Sequence, residues 1–134
     1  MRLFLDSSVL LAAAGSIHGA SYYLIRTARR STHVLITADY CIREVEYNLR
    51  KLDPICTEHW YKIIKPRLRI VPVQLTLSKI LVYTKTKDRP VVITSLAENA
   101  EFLLTLDKAD FKGLLGKKVY GVHILSPAEF LGLG

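Results

Sequence analysis

The chain has 134 residues, half of them hydrophobic and 23% charged, enough to bury one core and too few for two cores with a linker. With no Pro/Gly/Ser-rich stretch and no fixed-period repeat, that balance excludes a disordered or solenoid chain and predicts a single domain over 1–134. The net charge of +7 favours polyanionic partners such as phosphate backbones, although the same cations also serve an ordinary solvated surface.

The first residues mimic a secretory signal, with Met1-Arg2 followed by apolar residues and Ala12-Ala13-Ala14-Gly15, but Asp6 interrupts that run. No later apolar run has the length to cross a bilayer, so the expected location is cytoplasmic, with no membrane partner. Cys41 and Cys56 lack C-x-x-C spacing and are expected to be reduced thiols. His18, His33, His59 and His123 show no paired-ligand spacing, which argues against zinc hydrolysis.

Arg2-Leu3-Phe4-Leu5 predicts a short strand, and a polar turn at Asp6 leads into an apolar segment. Ala20, Leu24 and Ala28 repeat at helical spacing over 20–31, leaving Arg26, Arg29 and Arg30 on the exposed side. His33–Thr37 reads as a buried strand, followed by a helix through Tyr40 to about Leu52 that Thr37 or Asp39 could cap. Glu44 rides on this helix beside its buried stripe, and Pro54 ends it or begins the next element.

A further helix is expected over Ile55–Lys65, a strand over Leu68–Val73 and a helix over Leu75–Tyr83. Pro72 has no N–H to give a sheet, so an edge strand or an extended link is expected there. Asp88 precedes a helix with Pro90 in its first turn, and Asn99 suits that helix's end. Strands follow at Phe102–Leu106 and Val119–Leu125, and Ser126 caps a short last helix.

Alternating strands and helices imply a parallel sheet covered on both faces, whose sites gather at the carboxyl ends of the strands. Asp6 and Asp107 each follow a strand, while Glu44 and Asp88 sit on or before helices that flank the same rim. Four acids brought together this way repel: at about 5 Å and an effective dielectric near 20, each ionised pair costs roughly 3 kcal/mol. Such a pocket must take up protons or hold a cation. Its hard oxygen ligands suit Mg²⁺ or Mn²⁺ and hydrolysis of nucleic acid.

These residues resemble the PIN domain family, metal-dependent nucleases that include the VapC toxins of toxin–antitoxin modules. The motifs carrying the resemblance are Leu5-Asp6-Ser7-Ser8-Val9-Leu10, Glu44-Val45, Lys87-Asp88-Arg89-Pro90-Val91, and Phe102 to Asp107, in that order along nearly the whole chain. The chain departs from the commonest pattern at Val92–Leu96, often richer in alanine, and at Asn99-Ala100-Glu101, where Gly-Ala-Asp is frequent.

The resemblance implies a three-layer α/β/α sandwich with a mainly parallel central sheet. It implies an endoribonuclease leaving 5′-phosphate and 3′-hydroxyl ends, with one or two Mg²⁺ or Mn²⁺ ions held by Asp6, Glu44, Asp88 and Asp107. Ser8 and Thr105 match small polar positions expected to orient carboxylates or water, and Asp110 is an additional acid. An antitoxin partner and a homodimer follow from the toxin-like relatives.

Arg26, Arg29, Arg30, Lys85, Lys87, Arg89, Lys108 and Lys112 are candidates to hold RNA phosphates, each weighed against a purely solvating role. Tyr22, Tyr23 and Trp60 are candidates for base stacking, with core or partner packing the stronger expectation for each. Three other functions stay open from the sequence: a noncatalytic RNA-binding or scaffold protein on the same fold, a non-toxin RNA-processing enzyme, and a DNA nuclease.

Overall fold

Leu3, Phe4 and Leu5 are fully buried because their strand, β1 (Arg2–Leu5), runs through the middle of the sheet. The computed structural model describes residues 1–73, 89–107, 111, 116–119 and 121–133. Within them the other strands are β2 (Val34–Ala38), β3 (Arg69–Val71), β4 (Phe102–Leu104), β5 (Lys118–Val119) and β6 (Val122–Leu125). They form one sheet in the order β3-β2-β1-β4-β6-β5, parallel throughout except that β5 pairs antiparallel with β6.

Side chains alternate across a strand, and both faces of this one are covered. Leu3, Leu5, Leu35 and Leu104 pack with α1 (Ser7–Gly15), α2 (Ala20–Thr27), α3 (Asp39–Asn48) and α4 (Pro54–His59). Phe4, Ile36, Leu103 and Ile124 pack on the other face with Val91 and Val92 of α5 (Arg89–Ala97). The result is the expected three-layer α/β/α sandwich. Burial on both sides explains why the strands read as continuous apolar runs.

Local chemistry sets several boundaries. Pro54 begins α4 rather than ending α3, with the Asp53 carboxylate accepting from the Ile55 amide at 3.4 Å. Ser126 and Glu129 make the reciprocal capping box of the last helix, α6 (Pro127–Leu131). Asn99 sits at φ 55°, the left-handed turn after α5 that asparagine tolerates. β3 is an edge strand ending just before Pro72, as the missing amide requires.

Other expectations are corrected. α2 stops at Thr27, four residues short of Ser31, because the chain turns through Thr32 at φ 57° and the His33 amide closes back on Ala28 O at 2.9 Å. The single strand expected over Val119–Leu125 is a hairpin, turned by Gly121 at φ 91°. After α4 the backbone widens into a π-helical stretch, Trp60–Ile64, before a 3₁₀ turn over Lys65–Arg67. Neither Thr37 nor Asp39 caps α3: Thr37 Oγ1 donates to Leu5 O, and Asp39 Oδ1 accepts from the Tyr40 and Val73 amides. The helix expected over Leu75–Tyr83 lies outside the described residues.

Candidate active site

Parallel strands all end at the same rim. Leu5 pairs with Leu104 in the β1–β4 register, so Asp6 and Thr105 are the next residues out of the sheet, and Asp107 follows two positions later. β2 ends beside β1, and α3 begins directly after it, which carries Glu44 over that rim on its second turn. A cleft of about 190 Å³ opens there, lined by Asp6, Ser7, Ser8, Tyr40, Glu44, Asn48 and Asp107, with apolar walls from Leu11, Val45 and Val91.

Asp6 is the anchor of this cleft and is only 8% exposed. Its Oδ2 accepts from Thr105 Oγ1 at 2.9 Å and from Ser8 Oγ at 3.0 Å. Each hydroxyl has one proton, and with both aimed at Asp6 the 3.3 Å approach of Ser8 Oγ to Thr105 Oγ1 has no proton between its oxygens. Main-chain donors fix the same hydroxyls from behind: the Leu106 amide donates to Ser8 Oγ at 3.0 Å and the Asp107 amide to Thr105 Oγ1 at 3.1 Å. The turn that presents Asp107 is thus tied to the groups that orient Asp6.

Burial raises the Asp6 pKa above the ordinary carboxylate range. The Thr105 and Ser8 hydroxyls and the Ser7 amide oppose that shift, and the nearby Asp107 charge reinforces it. Cys41 registers the same negative field from behind the cleft. Its thiol is pushed up to about 12, mainly by burial and then by the Asp6 charge, with a smaller contribution from Glu44. A cation in the cleft would relieve both effects.

Asp6, Glu44 and Asp107 therefore share one cleft, and Ser8 and Thr105 support Asp6 directly. Asp88, Asp110, Lys85, Lys87, Lys108 and Lys112 lie outside the described residues. Among the described residues no three His, Cys, Asp or Glu side chains form a ready-made metal cage. Magnesium does not demand one, since it keeps several waters and is commonly held by one or two carboxylates. The donor set is hard oxygen throughout, with one carboxylate already held by two hydroxyls, and it fits such an ion.

The basic residues of α2 and its turn do not reach this cleft. Arg26, Arg29 and Arg30 are exposed where the chain leads into the amino end of β2, on the rim opposite Asp6 and Asp107. Arg30 instead borders a separate groove with Met1, Tyr23, His33 and Phe102. Trp60 is fully buried, its indole N–H donating to Glu46 Oε2 at 3.0 Å, so it is a core residue and no stacking platform. Tyr22 packs against the core, and Tyr23 is exposed beside the far groove.

Tyr40 and Asn48 are cleft residues that motif reasoning passes over. Their signal lies in the spacing Tyr40, Glu44, Asn48, which puts all three on one side of α3.

No family model matches the chain, and no curated protein matches it. Among solved structures, a chain of VapBC2 from Rickettsia felis, crystallised bound to a DNA fragment from their promoter, superposes with a TM-score of 0.62 at 15% identity. The match covers 92% of this chain and 97% of that one. Among the described residues no single helix is long and apolar enough to cross a membrane. The likeness is one of fold, a three-layer α/β/α architecture.

Proposed function

We propose that this chain is a metal-dependent endoribonuclease and the toxin of a toxin–antitoxin pair. The observation that carries the nuclease reading is Asp6, a buried carboxylate at the carboxyl end of a central strand, gripped by Ser8 and Thr105 and sharing a cleft with Glu44 and Asp107. An acid kept there against its desolvation cost is poised for a cation rather than for packing.

Asp6, Glu44 and Asp107, with Asp88 completing the set, would hold Mg²⁺ or Mn²⁺. When bound, such an ion supplies an acidified water and stabilises charge building on phosphorus. Ser8 and Thr105 keep the Asp6 carboxylate in one orientation, sparing it reorganisation during the reaction. Tyr40 and Asn48 flank Glu44 in the cleft and offer polar contacts to the scissile strand. The toxin assignment draws on the VapBC2 likeness, and an antitoxin and a second copy of the chain are its proposed partners.

The test is incubation of the purified protein with pooled cellular RNA, with and without Mn²⁺, alongside Asp6→Asn, and with cleavage ends mapped. We expect Mn²⁺-dependent cuts with 5′-phosphates that vanish in the variant. Intact RNA under all conditions, with RNA affinity retained after the acids are neutralised, would instead identify a noncatalytic RNA-binding protein.

A further inference from the structure

On α3, Tyr40 and Glu44 line the cleft, and Tyr47 follows at the next helical step, so the side of the helix that enters the cleft continues outward to Tyr47. Tyr47 is 58% exposed. Two cations attend it: the Arg50 guanidinium carbon lies 5.2 Å from the ring centroid and Lys51 Nζ lies 5.5 Å from it. Both side chains are exposed in the 3₁₀ turn, Leu49–Lys51, that continues α3.

The other exposed tyrosines among the described residues stand elsewhere. Tyr23 borders the groove at the opposite rim, and Tyr61 is engaged with Glu46 and Lys65 on the π-helical stretch. Tyr47 combines an open aromatic surface, paired positive charge and a position one helical turn from a cleft acid.

We propose that Tyr47, Arg50 and Lys51 form a subsite for single-stranded RNA, with an unpaired base stacked on the Tyr47 ring and its flanking phosphates held by the two cations. The inference rests on the nuclease reading for the direction of the strand but not for its own test. Aromatic rings accept any base, and an arginine beside the ring extends the stack. A base in a duplex is already stacked and cannot use the platform, so the subsite selects unpaired strands. In a +7 chain whose cleft is acidic, it supplies the attraction for a polyanion next to the acids that must act on it.

The experiment uses fluorescence anisotropy of a labelled single-stranded oligoribonucleotide and of its duplex, in EDTA, with Asp6→Asn as the non-cleaving parent. Adding Tyr47→Ala should weaken single-strand binding roughly tenfold, while Tyr47→Phe keeps the ring and stays near the parent. Duplex affinity should not respond to either. Replacing Arg50 and Lys51 with alanine should reduce the salt slope of single-strand binding by about 1.4, the value for two lost phosphate contacts.

Unchanged single-strand binding in Tyr47→Ala, or no binding by the parent, overturns the subsite. Unchanged RNA binding with loss of self-association in light scattering overturns it too and assigns the face to a protein partner. Weakened binding in Tyr47→Ala, together with no Mn²⁺-dependent cleavage by the unaltered protein, leaves the subsite standing and removes the nuclease reading.

Discussion

Thr105 Oγ1 donates a hydrogen bond of 2.9 Å to Asp6 Oδ2, joining residues 99 apart in sequence at the point where two neighbouring parallel strands leave the sheet. The same hydroxyl accepts from the Asp107 amide, so one buried threonine couples the two aspartates of the cleft. Thr105→Val keeps the shape but removes the donor from Asp6 and the acceptor from Asp107. We expect a stability loss of roughly 1–3 kcal/mol by urea unfolding, with Thr105→Ser recovering most of it. Equal stability of the valine and serine variants would show that the hydroxyl holds nothing in place.

Asp6→Asn separates stability from activity. Asparagine still accepts from Ser8 and Thr105 through its oxygen, but it carries no buried charge. Because burial raises the Asp6 pKa, the carboxylate is least costly to the fold when protonated, below the ordinary carboxylate value. Its penalty grows as pH rises through the folded-state pKa. Metal-free Asp6→Asn should therefore melt higher than the unaltered protein at pH 7, and the difference should shrink as pH falls toward 4. In saturating Mn²⁺ the order reverses. An ion at a hundred times its Kd adds about 2.7 kcal/mol to a protein that binds it, and the variant should gain little. A variant that melts lower without metal at pH 7 would contradict the assigned cost of the buried charge.

Much of this fold is written locally. Asn99 in the left-handed region, Ser126 with Glu129 at a helix start, and Pro72 just past an edge strand each follow from the chemistry of one or two neighbouring residues. The acids of the cleft were legible for a related reason, since Asp6 and Asp107 directly follow apolar strands whose ends must share a rim. What escapes is nonlocal. The hairpin at Gly121 exists because β6 offers a partner edge to Lys118 and Val119. The end of α2 depends on a left-handed threonine, which propensity disfavours. The placement of Arg29 and Arg30 away from the acids depends on which end of β2 they precede, a matter of topology that charge counting does not see.

That topology yields a test. If RNA is processed at the acidic cleft, the double variant Arg29→Ala, Arg30→Ala, on the opposite rim, should cleave a short single-stranded substrate within about twofold of the unaltered rate at moderate salt, where charges beyond a Debye length of roughly 10 Å are screened. Loss of activity comparable to that of Asp6→Asn would mean that the substrate wraps to the far rim.

Trp60 is the single tryptophan of the chain, and its burial gives a direct spectroscopic test. Fully shielded and bonded to Glu46, which also takes Lys65 Nζ at 2.8 Å, it should emit in the blue part of the tryptophan range and resist quenching by acrylamide. Adding single-stranded RNA should leave its emission unchanged, because the ring is inside the core and cannot meet a base. Trp60→Ala should cost about 3–5 kcal/mol through lost apolar burial and the cavity left behind, with the Glu46 carboxylate left one donor short. Strong quenching by RNA would put the indole at the surface and overturn its assignment to the core.

Cys41 reports on the cleft from the core beside it. With its thiol pushed up to about 12 by burial and by the neighbouring carboxylates, almost none of it is thiolate at pH 8. Cys56 is also buried and free. A thiol reagent such as dithionitrobenzoate should react with neither in the native protein and with both in guanidinium, and reductant should leave the melting temperature unchanged. Native-state labelling should proceed only as fast as the protein opens. Divalent cation, by closing the cleft around Asp6 and Glu44, should slow Cys41 labelling in mild denaturant, and Asp6→Asn should lose that protection. Rapid native labelling of Cys41 at pH 8 would show a thiol open to solvent and overturn its place in the core.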